Sequence, residues 1–489
     1  MAYRHGVYGS EVPTAIIPPT RINAGLPVVF GTAPIHLAQD PVPTNKPILC
    51  YSYQEAVEQF GFSNNWQDYT LCEFIYSQFA LFAMAPVVLI NVLDPTSHKK
   101  TVAPTDIDIV DNAVIIEDAV ILTTLVVKLT AAGQPLVINT DYTAAFNDEG
   151  KLIITPVEGG AITTGTTKLN IGYEALDPSL VDADDIIGGV DTITGDYEGL
   201  ELINSIFPYF GLIPGQIAAP KWSSNPEVAA VMNAKVKNIN SVFKAICWID
   251  VPTDTVKKYT DVSNWKDENN VSDTTQVCCW PKAALGSKQY HLSTQAIGVT
   301  CTVDAANEDV PYESPSNKNL QANAMVLEDG KEVVLAVDNA AYLNSQGVVT
   351  GINFIGGQKL WGNRTAVYPA NTDPKDSFVA IRRMFNWINN TLITTFWSKV
   401  DKPMNKVLIE TVLDSANIWL NSLTARGWLL GGRVEFREDE NPITDLMDGI
   451  VKFHVYITPP APAREIDFIQ EYDPSYLSVL FQSEGSGNI

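Results

Sequence analysis

The chain has 489 residues, of which 46% are hydrophobic and 18% are charged, so it can form roughly two to four domains with sizeable cores. Its formal net charge of −24 argues against a nucleic acid as a direct partner, because phosphate binding needs a basic surface. No run of about 18 apolar residues predicts a membrane-spanning helix, and the N-terminus lacks an apolar signal core. We therefore expect a soluble protein made in a cytoplasm, with no direct membrane insertion and with its cysteines as buried thiols.

Residues 1–20 are predicted to form an extended N-terminal arm. Pro13, Pro18 and Pro19 prevent a helix or a longer strand there. A short strand in front of a proline hinge needs a sheet edge to pair with, and the pattern leaves open whether that edge is in its own body or in a neighbouring molecule. The residues with strand spacing are Tyr3, Val7, Tyr8 and Val12.

Apolar strands and punctuated helices alternate over residues 21–94 and again over residues 186–320. This alternation predicts an α/β core, a mixed sheet with flanking helices. The predicted strands are 26–33, 48–51, 87–92, 216–219, 243–250 and 275–280; the predicted helices are 52–61, 71–83, 197–210, 226–240 and one that begins at 254–259.

The pattern changes between these two parts of the core. Over residues 95–185 the helical periodicity disappears, and short β-branched runs are separated by turn signals such as 132–135 and 148–150. This stretch also contains many more acidic than basic residues, which suits an exposed surface. We interpret it as an all-β domain inserted into the α/β core.

Residues 321–458 are predicted to form a C-terminal α/β domain. Its first long helix has an apolar stripe that begins at Phe378 and ends at Phe396, and its second helix lies between Pro403 and Gly427. Two alternating strands follow at 433–437 and 450–457. A two-stranded sheet is marginally stable alone, so these strands are candidate acceptors for a further strand, through Val434, Phe436, Val451, Phe453 and Val455.

Residues 459–489 are predicted to form a C-terminal linking arm with a loose tail. Pro459, Pro460 and Pro462 make a stiff extended hinge. Beyond the hinge, residues 464–473 are predicted to be another strand, with Ile466, Phe468 and Ile469 as its apolar residues. Both termini therefore carry a predicted β-strand arm beyond a proline hinge.

Several separated motifs resemble contractile tail sheath proteins, the subunits of myophage tails and R-type bacteriocins. They are GINFI at 351–355, WGNRT at 361–365, IRRMFNWIN at 381–389, HGVYGSEVPT at 5–14 and SYQEAVEQFG at 52–61, which agree with that family in order and spacing. The resemblance implies a subunit that polymerises helically around an inner tube in a metastable extended state. Contraction then drives the tube through a cell envelope.

The resemblance also implies the partners and the location of the chain. It would assemble with itself as a helical homopolymer of stacked rings, with the inner tail tube protein, and with baseplate and tail terminator proteins. Assembly would take place in the host cytoplasm and end in the virion. The inserted domain would protrude outwards, the terminal arms would pair with neighbouring subunits, and the C-terminal domain would face the tube. The candidate tube-facing cations are Arg382, Arg383, Lys399 and Lys402.

Two alternatives stay open at this stage. The chain could form the sheath of an R-type bacteriocin or of a type VI-like injection system, because the difference lies in the partners. It could also be a cytoplasmic α/β enzyme, although Asn363-Arg364 replaces the Lys-Ser/Thr of a phosphate loop and the five histidines lack metal-site spacing. We expect no enzyme activity and no catalytic, cofactor or metal site.

Overall fold

In the computed structural model of the protein, residues 24–481 are described. The predicted N-terminal arm, with Tyr3, Val7, Tyr8 and Val12, lies outside this range. None of the helices within it combines the length and the apolar composition needed to cross a bilayer.

The described residues contain 22 strands. In chain order they are β1 Pro27–Gly31, β2 Ile48–Cys50, β3 Val87–Asn91, β4 Lys99–Asp108, β5 Val114–Ile116, β6 Val126–Lys128, β7 Tyr142–Phe146, β8 Leu152–Pro156, β9 Lys168–Leu176, β10 Gly189–Val190, β11 Tyr197–Glu198, β12 Gln216–Ala218, β13 Ile246–Asp250, β14 Gln276–Cys279, β15 Lys282–Leu285, β16 Lys288–Tyr290, β17 Lys318–Asn319, β18 Ala324–Val326, β19 Val348–Asn353, β20 Gln358–Trp361, β21 Gly431–Glu435 and β22 His454–Thr458.

The same range contains 12 α-helices, with short 3-10 segments between them. The α-helices are α1 Tyr53–Phe60, α2 Thr70–Ile75, α3 Ala183–Ile187, α4 Ile203–Phe210, α5 Pro226–Val236, α6 Val262–Glu268, α7 Leu292–Ala306, α8 Val337–Ser345, α9 Pro374–Ser377, α10 Val379–Phe396, α11 Lys406–Ala425 and α12 Ile443–Met447. A π-helical turn, Tyr76–Leu81, continues α2.

A nine-stranded mixed sheet forms the centre of the molecule, in the order β17-β20-β19-β14-β13-β12-β1-β3-β2. The six strands from β19 to β3 are parallel, while β2, β17 and β20 pair antiparallel at the two edges. Strands β1, β3 and β13 are buried at every residue, as expected when helices cover both faces of a parallel sheet. The predicted mixed α/β core is confirmed.

The main sheet extends further along the chain than predicted. The boundary placed at residue 320 falls between β17 and β19, although both belong to the nine-stranded sheet. The large core under this sheet also continues to Val379, at the start of α10. Strands β19 and β20 continue the hydrogen-bonded ladder of β14, so they complete the central sheet.

Residues 99–176 form two small antiparallel sheets, β4-β9-β6 and β5-β8-β7. Their shared core is separate from that of the main sheet and includes Val127, Leu152 and Ile171, each of which is fully buried. The chain enters through β4 and leaves through β9, and these two strands pair with each other from Lys99↔Leu176 to Asp108↔Lys168.

Two predicted helices begin later than expected. Residues 197–202 form β11 and a 3-10 turn, so that α4 begins at Ile203. The helix expected at 254–259 is α6, from Val262 to Glu268. Neither observed helix has a side-chain cap, at Leu202 or at Asp261, and boundaries without a cap are weakly specified by the sequence.

Polar groups at the carboxyl edge of the parallel strands are bonded to one another. Glu73 accepts hydrogen bonds from the backbone N–H of His291 at 2.6 Å and pairs with its Nδ1 at 2.8 Å. Asp250, at the end of β13, accepts from the N–H of Ser293 at 3.0 Å, and burial raises the pKa of this carboxyl group. This is the edge where open α/β sheets bind ligands. Here the carboxylates fix the start of α7 against the sheet.

The long helix α10 meets the main sheet through a polar face that the sequence did not predict. Arg383 and Asp304 form a buried ion pair, with Nη1 3.0 Å from Oδ1 and both side chains 2% exposed. Asn390 donates to the carbonyl oxygen of Lys244 at 2.9 Å and accepts from its N–H at 3.0 Å. Asn386 donates to the carbonyl oxygen of Ala245 at 3.1 Å. These bonds attach α10 to α7 and to the segment that leads into β13.

We predict that Asp304→Asn lowers the free energy of unfolding by roughly 3–5 kcal/mol, because it leaves the Arg383 guanidinium buried without a counter-charge. The matched control is Glu308→Gln, which removes an exposed ion pair with Arg426 (2.7 Å) and is expected to cost about 1 kcal/mol or less. Urea midpoints of the two variants measure the difference. Equal midpoints would contradict a stabilising role for the buried pair.

Candidate assembly interface

Strands β21 and β22 form a separate antiparallel ribbon beside the main body, with a register that runs from Gly431↔Thr458 to Glu435↔His454 and includes the pair Val434↔Val455. One face of this ribbon packs on α10 and α11 and forms a third core. This core includes Met384 and Trp387 of α10, Trp419 and Leu420 of α11, and Val434 of the ribbon. The two tryptophan rings lie 5.6 Å apart, between centroids. The helices thus give the short ribbon the support that two strands lack alone.

The outer edge of β21 is closed at Val434 by a side chain of α11. Asn417 accepts a hydrogen bond from the N–H of Val434 at 2.8 Å and donates to the carbonyl oxygen of Val434 at 3.0 Å. An asparagine amide thereby replaces one residue of a neighbouring strand.

The opposite edge of the ribbon, along β22, is its open edge. Residues of an antiparallel pair alternate between pairs that bond each other and pairs that point their backbone groups outwards. Because Val434 directs its N–H and C=O to Asn417, its partner Val455 directs its own groups to the outer side of β22. Among residues 24–481, no hydrogen bond of the Val455 backbone to a group outside the ribbon is found. Val455 therefore presents a donor and an acceptor to an additional strand.

The ribbon is shorter than predicted, and three of the five candidate acceptor residues lie beside its strands. Phe436 and Phe453 lie in ring contact at 6.1 Å, and Val451 precedes β22. Asn441 explains the late start of β22: its side chain bonds the N–H of Lys452 at 2.7 Å and the carbonyl oxygen at 2.9 Å. Only Val434 and Val455 of the candidates belong to paired strands.

The predicted strand at 464–473 does not form among residues 24–481. Residues 459–473 are neither helix nor strand there, and the side chains of Ile466, Phe468 and Ile469 are 72%, 83% and 91% exposed. Such a segment becomes a strand only where another edge supplies its hydrogen bonds. The arm thus follows β22 directly and carries exposed apolar side chains, with no strand partner in the described part of the chain.

The four candidate tube-facing cations occupy different environments. Arg383 is not available to a partner, since it is buried against Asp304. Arg382 is 14% exposed and pairs with Asp376 at 3.2 Å; burial lowers the pKa of its guanidinium. Lys399 is half-buried, and Lys402 is exposed. The prediction for Arg383 is wrong, because the position lies on the face of α10 that meets the body.

Sequence reasoning missed the asparagines that attach α10 to the body. Asn386 and Asn390 lie three and seven residues after Arg383, which places all three on one helical face. Asparagine is unfavourable in the interior of a helix, so a stripe of this kind indicates a helix face that is held by buried hydrogen bonds. The sequence pattern predicts that the apolar stripe forms the buried face of this helix, but its members Phe385 and Leu392 are only half-buried.

Comparison with known proteins identifies relatives along almost the whole chain. No family model matches the sequence. The chain is 27% identical to the tail sheath protein of Burkholderia phage BcepMu, over 98% of each protein. It is 24% identical to the tail sheath protein of Escherichia phage P2, over 62% of this chain and 74% of the relative. The resemblance to contractile tail sheath proteins is confirmed.

Solved structures share the fold at much lower sequence identity. The sheath complex of an extracellular contractile injection system called PVC, determined in its contracted state, superposes with a TM-score of 0.56. The match covers 97% of this chain and 99% of that one at 14% identity. The similarity supports the mixed α/β fold with a multi-stranded sheet.

We predict that Asn417→Ala weakens the ribbon by about 1–3 kcal/mol, because it leaves the N–H and C=O of Val434 without partners. Hydrogen exchange of the Val434 amide should become faster, while the main sheet keeps its protection. Asn421→Ala is the matched control, since Asn421 is exposed on the same helix. Similar exchange at Val434 in both variants would show that Asn417 does not close this edge.

Proposed function

We propose that this chain is the structural subunit of a contractile tail sheath. It polymerises helically around an inner tube in a metastable extended state, and its contraction drives the tube through a cell envelope. The single observation that carries the proposal is an open strand edge at β22 next to an unpaired apolar arm, in a chain related to phage tail sheath proteins over 98% of its length.

The terminal arms interlink the subunits by adding strands to a neighbour's ribbon. Main-chain hydrogen bonds make such pairing strong with little demand on the side chains. Val455 offers the acceptor edge, and residues 464–470 of another subunit supply the donor strand; residues 1–20 act as the second arm. Because donor and acceptor surfaces differ, the contact is heterologous, and its repetition builds a helix or stacked rings rather than a closed dimer.

Each part of the chain then has one task. The body built on the nine-stranded sheet, which includes β19 and β20 beyond the predicted boundary at residue 320, carries the contacts between subunits. Residues 95–185 form an inserted domain that protrudes from the outer surface. The rest of the C-terminal part, up to residue 458, faces the inner tube, with Lys399 and Lys402 as the remaining candidate contacts. The further partners are the inner tail tube, baseplate and tail terminator proteins, and the assembled form belongs to a virion after assembly in the host cytoplasm.

Contraction needs no nucleotide in this scheme. The extended sheath is held in a metastable arrangement by its tube and baseplate, and release lets the bodies move into a packing of lower free energy. The arms keep neighbouring subunits connected while the bodies rotate and slide. The buried joint between α10 and the main sheet supports this role, because it couples the ribbon rigidly to the body that moves.

We predict that Val455→Pro abolishes assembly while the monomer stays folded. Proline removes the outward N–H of an edge strand without removing a bond of the existing ladder. Electron microscopy of the purified chain should show hollow striated tubes or ring stacks for the wild type and none for this variant. Val455→Ala is the control, since it trims the same side chain but keeps the N–H. Tubes from both variants would contradict pairing at β22.

We also expect that deletion of residues 1–20 prevents tube formation by the purified chain, because the second linking strand is lost. An unchanged thermal unfolding midpoint of the truncated chain would show that its body is intact. Tubes from the truncated chain would keep the sheath proposal and remove the linking role of residues 1–20. Compact monomers from the full chain at high concentration would contradict self-assembly without a tube.

A further inference from the structure

A second surface without a partner lies at the amino edge of the main sheet. It is a cavity of about 610 Å³, and Leu26, Pro86, Ile213 and Phe243 in its wall come just before or shortly before β1, β3, β12 and β13. Since these four strands are parallel, their amino ends meet at one edge. Trp397, beyond the end of α10, forms part of the opposite wall. We refer to this space as the amino-edge cavity.

Two features of the amino-edge cavity point to an occupant. Its rim carries large exposed aromatic side chains, Tyr51 at 60% and Trp397 at 64%. Its wall also includes Asn240, whose buried Oδ1 has no hydrogen-bond partner among the described residues. Apolar surface of this extent and an unused acceptor suit a peptide that offers side chains and a backbone N–H.

The C-terminal tail, residues 472–480, has complementary properties. Residues from Pro474 to Phe481 form a 3-10 helix, in which positions three apart lie on one side. Leu477 and Leu480 therefore form one apolar stripe, and Tyr476 and Val479 form the next. Their exposures in the single chain are 46%, 78%, 74% and 59%, so the tail does not fill a cavity of its own chain.

The charges on the two surfaces are also complementary. Residues 465–481 contain four acidic and no basic residues, and Asp473 immediately precedes the 3-10 helix. Beside the cavity, Lys399 and Lys402 follow Trp397 and form no ion pair within residues 24–481, although Asp401 lies between them in sequence. Lys244, next to the cavity residue Phe243, is likewise exposed and basic. In a chain with a net charge of −24, such a basic rim favours an acidic segment.

We propose that the C-terminal tail of one subunit docks in the amino-edge cavity of a neighbouring subunit. The apolar stripes of residues 476–480 enter the cavity, and the acidic residues before them lie against the lysines of the rim. This inference rests on the proposed function and deepens it, since it gives the segment beyond the β-strand arm a separate binding site. Each C-terminus then holds its neighbour at two points, by backbone pairing and by side-chain insertion.

Cysteine cross-linking between two singly substituted chains tests the docking. All six native cysteines are buried, so introduced cysteines are the ones that react with a thiol-specific bismaleimide. We expect a covalent dimer when Tyr51→Cys and Leu480→Cys chains are co-assembled. Ile193→Cys, at a position 93% exposed in the β10–β11 hairpin, replaces Tyr51→Cys in the control, where we expect no dimer.

The outcomes separate this inference from the sheath proposal. Tubes that form without the Tyr51–Leu480 cross-link overturn tail docking and leave the sheath intact. So does a cross-link from Tyr51→Cys to Ala15→Cys, which would give the cavity to the N-terminal residues. If tubes do not form at all, the sheath proposal fails, and a labelled peptide of residues 471–481 still tests the cavity on the unassembled chain.

For that peptide we expect a fluorescence-anisotropy change on binding to the chain. Its affinity should fall roughly 2- to 10-fold when Lys399 and Lys402 are both replaced by Glu, in line with exposed ion pairs. Lys406→Glu is the control, since Lys406 is 86% exposed and lies 3.5 Å from Glu410 instead. Absence of binding, or equal loss in the control, would contradict the proposed site.

Discussion

The buried contact between α10 and the main sheet is the interaction on which the rest of the structure depends. Arg383 and Asp304 exclude water from their ion pair, and Asn386 and Asn390 bind backbone groups next to β13. Hydrogen bonds to backbone fix the position of a helix along its axis more strictly than apolar contacts do. The ribbon packs on α11, and Trp419 of α11 contacts Trp387 of α10, so that α10 ties the ribbon to the sheet. A force applied at the ribbon reaches the body through this joint.

The second constraint is that backbone N–H and C=O groups must be paired. Within the nine-stranded sheet the parallel strands are paired on both sides, and the short antiparallel strands β2 and β17 form its two edges. At the ribbon the chain uses asparagine side chains, Asn417 for β21 and Asn441 for Lys452. Among residues 24–481, the outer edge of β22 has no such substitute. The ribbon therefore has one closed edge and one open edge, so an additional strand can pair with it on one side only. A one-sided contact between unlike surfaces is the kind of contact from which helical polymers are built.

The sequence was sufficient for much of the fold, because strands buried on both faces and punctuated helices have strong local patterns. Strands β1, β3 and β13 and helices α1 and α5 lie close to where their patterns placed them. The extent of the main sheet could not be predicted, since the pairing of β14 with β19 joins residues about seventy positions apart. The sequence predicts Arg383 to be a surface cation, because its partner Asp304 lies on another helix and only the tertiary structure brings the two together. The acceptor strand was recognised, but its open edge depends on Asn417, which periodicity does not mark.

The way the chain enters and leaves the two small sheets also limits how the molecule can change. Lys99 and Leu176 are paired neighbours, so the two ends of the 78-residue segment 99–176 lie side by side at the body. Closing such a gap needs only a short turn, and the entropy of closure rises slowly with the length of chain inserted there. The body therefore tolerates a shorter, longer or unrelated module at this point without a shift in its own strands. Evolution, or a protein engineer, can alter residues 99–176 independently of the nine-stranded sheet.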